Sequence, residues 1–103
     1  MPVVFFLNKL NPDISPQDFE CWVREVDYPT ARSLTSIKSY VVARTPSTLD
    51  GNPSPYDYVE RVEVTDLDAY RHELGTAPGI DEFFKEWSAR IVDSVAVIGE
   101  EIE

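Results

Sequence analysis

Four stretches of the chain have the hydrophobic pattern of β-strands. Residues 2–10 and 36–44 are rich in β-branched and aromatic residues, and both contain runs that are apolar on both faces, which is typical of covered strands. Residues 94–99 form a further apolar stretch before an acidic end. Residues 56–65 alternate instead, so that one face is clearly more polar than the other. Between the second and third strands, residues 45–55 carry the prolines, Asp and Gly of a long loop.

The segment between the first two strands predicts a helix with Pro16 in its first turn. Ser15 can cap this helix within an S-x-x-D capping box, and proline is favoured at the first helical position. Because Pro29 disfavours helical geometry in the residue before it, we expect the helix to end at Asp27 or Tyr28. Its apolar stripe has helical spacing and comprises Phe19, Trp22, Val23 and Val26.

Two helices are predicted between the third and fourth strands. Asp66 caps a short one that Gly75 closes, with Leu67, Tyr70 and Leu74 turned inward. The second begins near Pro78 and has a strong amphipathic pattern. Its apolar positions are Ile80, Phe83, Phe84, Trp87 and Ile91.

The element order β-α-β-β-α-β predicts a ferredoxin-like fold, an α+β antiparallel sheet with its helices on one face. A chain of 103 residues has the size of one domain, so we assign residues 1–103 to a single ferredoxin-like domain. Because three strands carry runs that are apolar on both faces, the sheet face without helices needs a cover. The economical cover is the same face of a second copy. This predicts a homodimer through the sheet face that closes a dimeric α+β barrel.

One strand fits this topology poorly. Residues 56–65 should lie centrally in the sheet, yet they form the most polar of the four strands. Either Arg61 and Glu63 pair across the dimer, or the strand order differs from the predicted one.

The acidic charge of the chain argues against several classes of partner, and its cysteine content indicates a location. Nineteen acidic residues against nine basic ones give a formal charge of -10, which repels phosphates and anionic lipid heads, so neither nucleic acid nor membrane is expected as a partner. The longest uninterrupted apolar run, residues 3–7, is far shorter than a membrane span, and the chain starts without the basic region of a signal peptide. Its single cysteine cannot form an intrachain disulfide, so a cytoplasmic location is expected.

His72 is the only imidazole and therefore the first candidate for an acid or a base. It lies two residues from Tyr70 and two from Leu74, so it is not on the apolar stripe of the helix. This favours an exposed or rim position over a role in a pocket. One histidine without clustered cysteines or carboxylates is a poor metal site, so no metal is expected. Cys21 has no base beside it in the sequence, which favours a structural thiol over a nucleophile.

The carboxylates Glu25 and Asp27 could act as an acid and a base across a cleft. A simpler interpretation is a solvated helix face. On such a face Arg24 pairs with Glu20 at i, i+4 spacing and with Asp27 at i, i+3 spacing.

The tyrosines suggest a ligand. Their flat rings with hydroxyl tips suit a planar aromatic molecule held between the sheet and the helices, whereas Trp22 and Trp87 are expected in the core. The sequence has no dinucleotide, phosphate-loop, hydrolase-elbow or zincin motif, so no cofactor is expected and no catalytic residue is assigned. The predicted ligand-binding residues are Arg24, Asp27, Tyr28, Tyr40, Tyr58 and His72.

Three segments carry a family resemblance: residues 22–29 (WVREVDYP), 36–42 (SIKSYVV) and 58–60 (YVE). With them the chain resembles the REDY-like family, HapK type, of the gene clusters for red prodiginine pigments. The likeness spans most of the chain, although its motifs are short and are not catalytic signatures. It implies the dimeric α+β barrel superfamily and a place in the pathway that makes the bipyrrole aldehyde half of the pigment. It supplies no catalytic residues.

Two functions follow. In the first, the protein is an accessory or small-molecule-binding protein of pigment secondary metabolism that holds a pyrrole intermediate or assists another biosynthetic enzyme. In the second, it is a cofactor-free monooxygenase, isomerase or cyclase acting on a small aromatic pyrrole intermediate. A polar group such as Asp27 or His72 opening into an apolar cavity would favour the enzyme. A cavity filled by Trp22, Phe84 and Trp87 would exclude it.

Overall fold

The computed structural model, which describes residues 1–103, contains one four-stranded antiparallel sheet. Its strands are β1 (Pro2–Leu10), β2 (Ile37–Arg44), β3 (Tyr58–Val64) and β4 (Ile91–Glu100). They lie in the order β2-β3-β1-β4. This is the ferredoxin-like order, so the predicted fold class is confirmed.

Three helical segments connect β1 to β2, where a single helix was predicted. They are α1 (Pro16–Trp22), a π-helical turn (Val23–Asp27) and α2 (Tyr28–Ser33). Ser15 caps α1 as predicted, since its Oγ accepts a hydrogen bond from the backbone N–H of Asp18 at 3.1 Å. The helical connection continues to Ser33, so the predicted end at Asp27 or Tyr28 is wrong.

The π turn explains how the helical connection passes a proline. The backbone N–H of Tyr28 donates to the carbonyl of Val23, five residues earlier, instead of the usual four. Pro29 has no N–H to donate, and in a regular α-helix its ring would collide with the carbonyl four residues before it. A turn with one extra residue relieves that conflict, and such turns are frequent at functional sites.

Two helices connect β3 to β4: α3 (Leu67–Thr76) and α4 (Ile80–Arg90). Asp66 caps α3 as predicted by accepting a hydrogen bond from the backbone N–H of Ala69 at 2.8 Å. Two predicted ends are wrong, because α3 continues past Gly75 and because Ile91 begins β4 instead of belonging to α4. No helix in the chain combines the length and the apolar character needed to cross a membrane.

The polar strand β3 does lie in the middle of the sheet, between β2 and β1. Its helix-facing side is fully buried and consists of Tyr58, Glu60, Val62 and Val64. On the other side, Arg61 forms an ion pair with Glu101 of the same chain at 2.6 Å, and Glu63 accepts a hydrogen bond from Ser39 at 3.0 Å. The strand order is therefore the predicted one, and the charges of β3 have partners within the chain.

The core between sheet and helices has two parts. One consists of the buried residues Phe19, Trp22, Val23, Tyr58 and Ile91. The other consists of Val4, Val62, Val64 and Tyr70. Glu60 lies between Tyr58 and Val62 on β3, and its carboxyl group is therefore held where the two parts meet.

The opposite face of the sheet carries no helix. Val41 of β2 is 48% exposed, and Val95 and Val97 of β4 are 42% and 44% exposed. Cross-strand pairing puts Val41 and Phe5 opposite Arg61, and Val97 opposite Phe5. A mostly apolar surface with a central arginine therefore faces away from the helices; we call it the open face.

Candidate functional site

A cavity of about 50 Å³ lies between the sheet and the helices α2, α3 and α4. Fourteen residues line it, and eleven of them are apolar or aromatic. The other three are Asp27, Thr30 and Glu60. No Lys, Arg or His lines the cavity, so two carboxyl groups face an apolar space without a neutralising cation.

Tyr40 joins the two carboxyl groups. Its Oη lies 2.7 Å from Oδ2 of Asp27 and 2.6 Å from Oε1 of Glu60. Asp27 is only 3% exposed and Glu60 only 6%. Three elements supply this cluster: the π turn carries Asp27, β2 carries Tyr40 and β3 carries Glu60. We call Asp27, Tyr40 and Glu60 the carboxyl–tyrosine cluster.

Burial dominates the electrostatics of the cluster. It raises the pKa of Asp27 from 3.8 to about 7, with a further increase from the charge of Glu60 and an opposing effect of the Tyr40 hydrogen bond. Burial also raises the pKa of Glu60, which the hydrogen bonds from Tyr40, Asn8 and Trp87 lower in part. The pKa of Tyr40 is raised by burial first and then by the two carboxyl groups, so its phenol stays protonated.

More neighbouring groups donate hydrogen bonds to Glu60 than to Asp27. The Nδ2 amide group of Asn8 donates to Oε2 of Glu60, and the indole Nε1 of Trp87 lies 3.4 Å from the same oxygen. Asn8 is fully buried on β1, and its Oδ1 accepts a hydrogen bond from Ser94 Oγ of β4 at 2.6 Å. A hydrogen-bonded chain thus spans all four strands, from Ser94 of β4 through Asn8 of β1 to Glu60 of β3 and Tyr40 of β2.

Two of the predicted ligand-binding residues, Asp27 and Tyr40, lie together in the cavity wall. Tyr28 is their neighbour: its ring meets the Tyr40 ring edge-on at 5.6 Å between centroids. The Tyr28 hydroxyl oxygen accepts a hydrogen bond from the backbone N–H of Val42 at 3.1 Å, and the Arg32 guanidinium lies 5.0 Å from the Tyr28 ring centroid. Tyr28 thus supports Tyr40 from outside the cavity.

The other three predicted residues lie elsewhere. Tyr58 donates its hydroxyl to Glu20 at 2.7 Å, and Arg44 binds the same carboxylate through two nitrogens at 2.7 and 2.8 Å. These donors lower the pKa of Glu20. Arg24 is exposed and approaches Glu20 at 3.9 Å. His72 is exposed on α3 and is not among the lining residues.

The solvated-face interpretation holds for one charge pair and fails for the other. Arg24 approaches Glu20 at i, i+4 spacing as that interpretation predicts. Asp27 is buried with Tyr40 instead of pairing with Arg24, because the π turn places it on the inner side. Cys21 is exposed, and a hydrogen bond with Glu25 raises the pKa of its thiol, which disfavours the thiolate.

Sequence reasoning did not include Glu60 or Asn8 among the site residues. A signal for Glu60 was present, because the alternation of β3 puts it on the same side as Val62 and Val64. A carboxylate in the middle of an apolar strand face needs partners, and this marks it as a site candidate. Asn8 carried a weaker signal as the one amide in the otherwise apolar start of β1.

The sheet order and the one-sided helices define a ferredoxin-like α+β protein, and its helix-covered side holds a buried polar cluster. The sequence matches the family described as REDY-like protein HapK over residues 2–102. The chain belongs to this family, so the resemblance seen in the sequence is confirmed. No curated protein matches the sequence.

Solved structures agree with this assignment. The crystal structure of HapK from Hahella chejuensis is 29% identical, with a TM-score of 0.77 over 99% of this chain and 93% of that chain. A dimeric ferredoxin-like protein of unknown function from Thermobifida fusca is 18% identical, with a TM-score of 0.73 over 97% and 90%. A dabb family protein with a ferredoxin-like fold from Mesorhizobium loti is 13% identical, with a TM-score of 0.71 over 99% and 97%. At these last two identities the likeness concerns the fold alone.

Proposed function

We propose that the protein is a cofactor-free acid–base enzyme of prodiginine pigment biosynthesis that acts on a small, neutral, pyrrole-type ring. The pathway assignment rests on membership of the REDY-like HapK family. The catalytic assignment rests on one observation: the carboxyl–tyrosine cluster opens into an apolar cavity. Buried titratable groups at a cavity wall are typical of active sites.

The cluster provides an acid and a base in one hydrogen-bonded unit. With a pKa raised to about 7, the carboxyl of Asp27 is poised to give or take a proton near neutral pH, where acid–base catalysis is most effective. Tyr40 bridges Asp27 and Glu60 and passes the proton between them. A proton added to one carbon or nitrogen of a ring and removed from another is the chemistry of an isomerisation.

The cavity also defines a class of substrate. Its polar groups are mainly hydrogen-bond acceptors, and no cation is present to bind a carboxylate or a phosphate. An anionic ligand would meet the ionised carboxylate of the cluster with like charge. A neutral ring with an N–H or O–H donor satisfies an acceptor and places its carbon atoms against aromatic walls.

The cavity is too small to enclose a ligand without a movement of its walls. About 50 Å³ is much less than the roughly 300–1,000 Å³ of common ligand pockets. Phe83, Phe84 and Trp87 of α4 line the cavity and are only half-buried. A pyrrole-sized ring therefore requires these side chains to rotate outward before it can enter.

The small cavity favours a second candidate function in the same pathway. An accessory protein that binds a pyrrole intermediate transiently, or that contacts another biosynthetic enzyme, needs no large enclosed site. In that case the carboxyl–tyrosine cluster would orient the ring without transferring a proton. Substitutions that keep the shape of the cluster separate the two functions.

The test is complementation of cells that lack the gene, with pigment and pathway intermediates measured by mass spectrometry. Wild-type protein should restore the pigment. Asp27→Asn, Tyr40→Phe and Glu60→Gln should each reduce its rate of formation by about 100-fold, the usual contribution of general acid–base catalysis. His72→Ala and Tyr56→Phe are the controls, since neither residue lines the cavity, and both should behave as wild type.

The outcomes distinguish the proposals. Full pigment formation by all three cluster variants would overturn the catalytic assignment in favour of the binding protein. Unchanged pyrrole intermediates in cells without the gene would overturn the pathway assignment itself. Binding can be measured separately through tryptophan fluorescence, because Trp87 lines the cavity. Pyrrole-2-carbaldehyde should change the emission, and the anionic benzoate should not.

A further inference from the structure

We propose that Asn8 is a positioning residue that determines which carboxyl of the cluster carries the proton: it holds Glu60 as the carboxylate and leaves Asp27 as the neutral acid. This inference rests on the proposed acid–base function and deepens it, because it assigns the two roles. Asn8 does not line the cavity and acts only through Glu60.

The first step is a count of protons. Tyr40 has one hydroxyl hydrogen, yet its oxygen is within 2.7 Å of a carboxyl oxygen on both sides. Only one of these contacts can use that hydrogen, so the other needs a proton on a carboxyl group. With no cation in the cavity wall, two carboxylates would also repel each other. The cluster therefore holds one carboxylic acid and one carboxylate.

The second step concerns the donors around each carboxyl group. Donors stabilise the ionised form of a carboxyl group. Glu60 receives hydrogen bonds from Asn8 and Tyr40, and the indole nitrogen of Trp87 lies at 3.4 Å. Asp27 has Tyr40 as its sole side-chain partner. Glu60 is thus the carboxylate, Asp27 donates its proton to the Tyr40 oxygen, and Tyr40 donates to Glu60.

The third step concerns the orientation of the Asn8 amide. Ser94 Oγ donates to Oδ1 of Asn8 at 2.6 Å, which leaves the Nδ2 group to face Glu60. A rotated amide would put its oxygen against the carboxylate. Asn8 is fully buried and lies on β1 opposite both Tyr58 and Ser94, so the surrounding strands fix its backbone. The amide thereby presents a donor to Glu60 in every catalytic cycle.

The other groups near the cluster do not change this assignment. Tyr70 of α3 lines the same cavity, and burial together with the charges of Glu60 and Asp27 raises the pKa of its phenol, which therefore stays neutral. The α4 wall contributes Ile80, Phe83, Phe84 and Trp87, none of which titrates. Thr30 and Ala31 of α2 bring no charge.

The experiment is infrared spectroscopy of the neutral carboxylic acid band, with and without ¹³C labelling of the aspartate side chains. In the wild-type protein at pH 6 the buried acid band should shift on labelling and should be absent in Asp27→Asn. In Asn8→Leu, which keeps the branching at Cγ and removes the donor, the label-sensitive band should be lost. A label-insensitive band should replace it, because the proton moves to Glu60.

Two results would overturn the inference. One is a wild-type band that does not respond to aspartate labelling, which would put the proton on Glu60 already. The other is an unchanged band in Asn8→Leu. If that variant does not fold, Ser94→Ala tests the same step, since loss of the hydroxyl that orients the amide should weaken the label-sensitive band. The infrared spectrum is recorded without substrate, so its result does not depend on the outcome of the complementation test.

Discussion

At the residue scale, Asp27 and Glu60 are unusual because acidic side chains are rarely buried without a cation. Here hydrogen bonds with neutral groups replace the cation: Tyr40 contacts both carboxyl groups, and Asn8 donates to Glu60. Such a cluster lowers stability when it must lose its shared proton. Its presence in the core is therefore better explained by function than by stability.

Asp27 predicts how stability depends on pH. Its pKa is raised to about 7 in the folded chain from 3.8, so its stabilising contribution is complete at acid pH and is lost as the pH rises towards 7 and above. The free energy of unfolding should fall by about 2 kcal/mol between pH 5.5 and 8, measured by urea denaturation. Asp27→Asn should remove most of this fall, because an amide does not titrate.

The pH window separates this effect from that of carboxylates with lowered pKa values. Glu20 and Glu73 have lowered pKa values, owing mainly to hydrogen bonds from Arg44 and Ser36 respectively, so their contributions are lost only at more acid pH. Asp50→Asn, in the exposed loop before β3, is the matched control and should keep the wild-type slope. An Asp27→Asn protein with an unchanged slope would contradict the raised pKa.

At the scale of elements, helix α3, which lines the cavity, is held in place by polar contacts near both of its ends. Glu73 of α3 accepts hydrogen bonds from the backbone N–H groups of Thr35 and Ser36 at 3.0 and 2.6 Å, which ties α3 to the start of β2. The N-terminus of α3 is fixed by the Asp66 cap. Both contacts keep Tyr70 and Leu74 in the cavity wall.

Removal of the Asp66 cap of α3 should lower the free energy of unfolding by an amount typical of helix caps. Asp66→Ala removes the acceptor for the Ala69 N–H and should lower the free energy of unfolding by about 1 kcal/mol. Asp68→Ala is the control from the same turn, because the side chain of Asp68 is 93% exposed and pairs with Arg71 only at 3.6 Å. Its cost should stay below about 0.5 kcal/mol. Equal costs in urea denaturation would contradict the capping role.

At the scale of the whole molecule, the open face is the main feature that a single chain leaves unexplained. Val41, Val95 and Val97 are each more than 40% exposed there, and the central Arg61 already has Glu101 as its partner. An exposed apolar sheet face with its charges satisfied is suited to meet an identical face.

We therefore expect a homodimer through the open face. Light scattering at micromolar concentration should give twice the chain mass of 11.7 kDa. Val97→Glu should yield a monomer, because a charge would be buried in the interface. Leu49→Glu is the control, since Leu49 is fully exposed in the loop before β3. A wild-type monomer, or a dimer that tolerates Val97→Glu, would refute this arrangement.

The amino-acid sequence was enough to predict the strands, the helix caps, the fold class and the family, because each depends on periodicity, capping or short motifs that are local in the chain. It placed Asp27 and Tyr40 near a pocket, but not in contact. Only the tertiary structure brought Asp27, Tyr40, Glu60 and Asn8 together, and it did so through the π turn at Pro29 and the pairing of β1, β2 and β3. Hydrophobic periodicity records which face of an element is buried; it does not record which buried polar groups meet, since that depends on strand register and helix geometry.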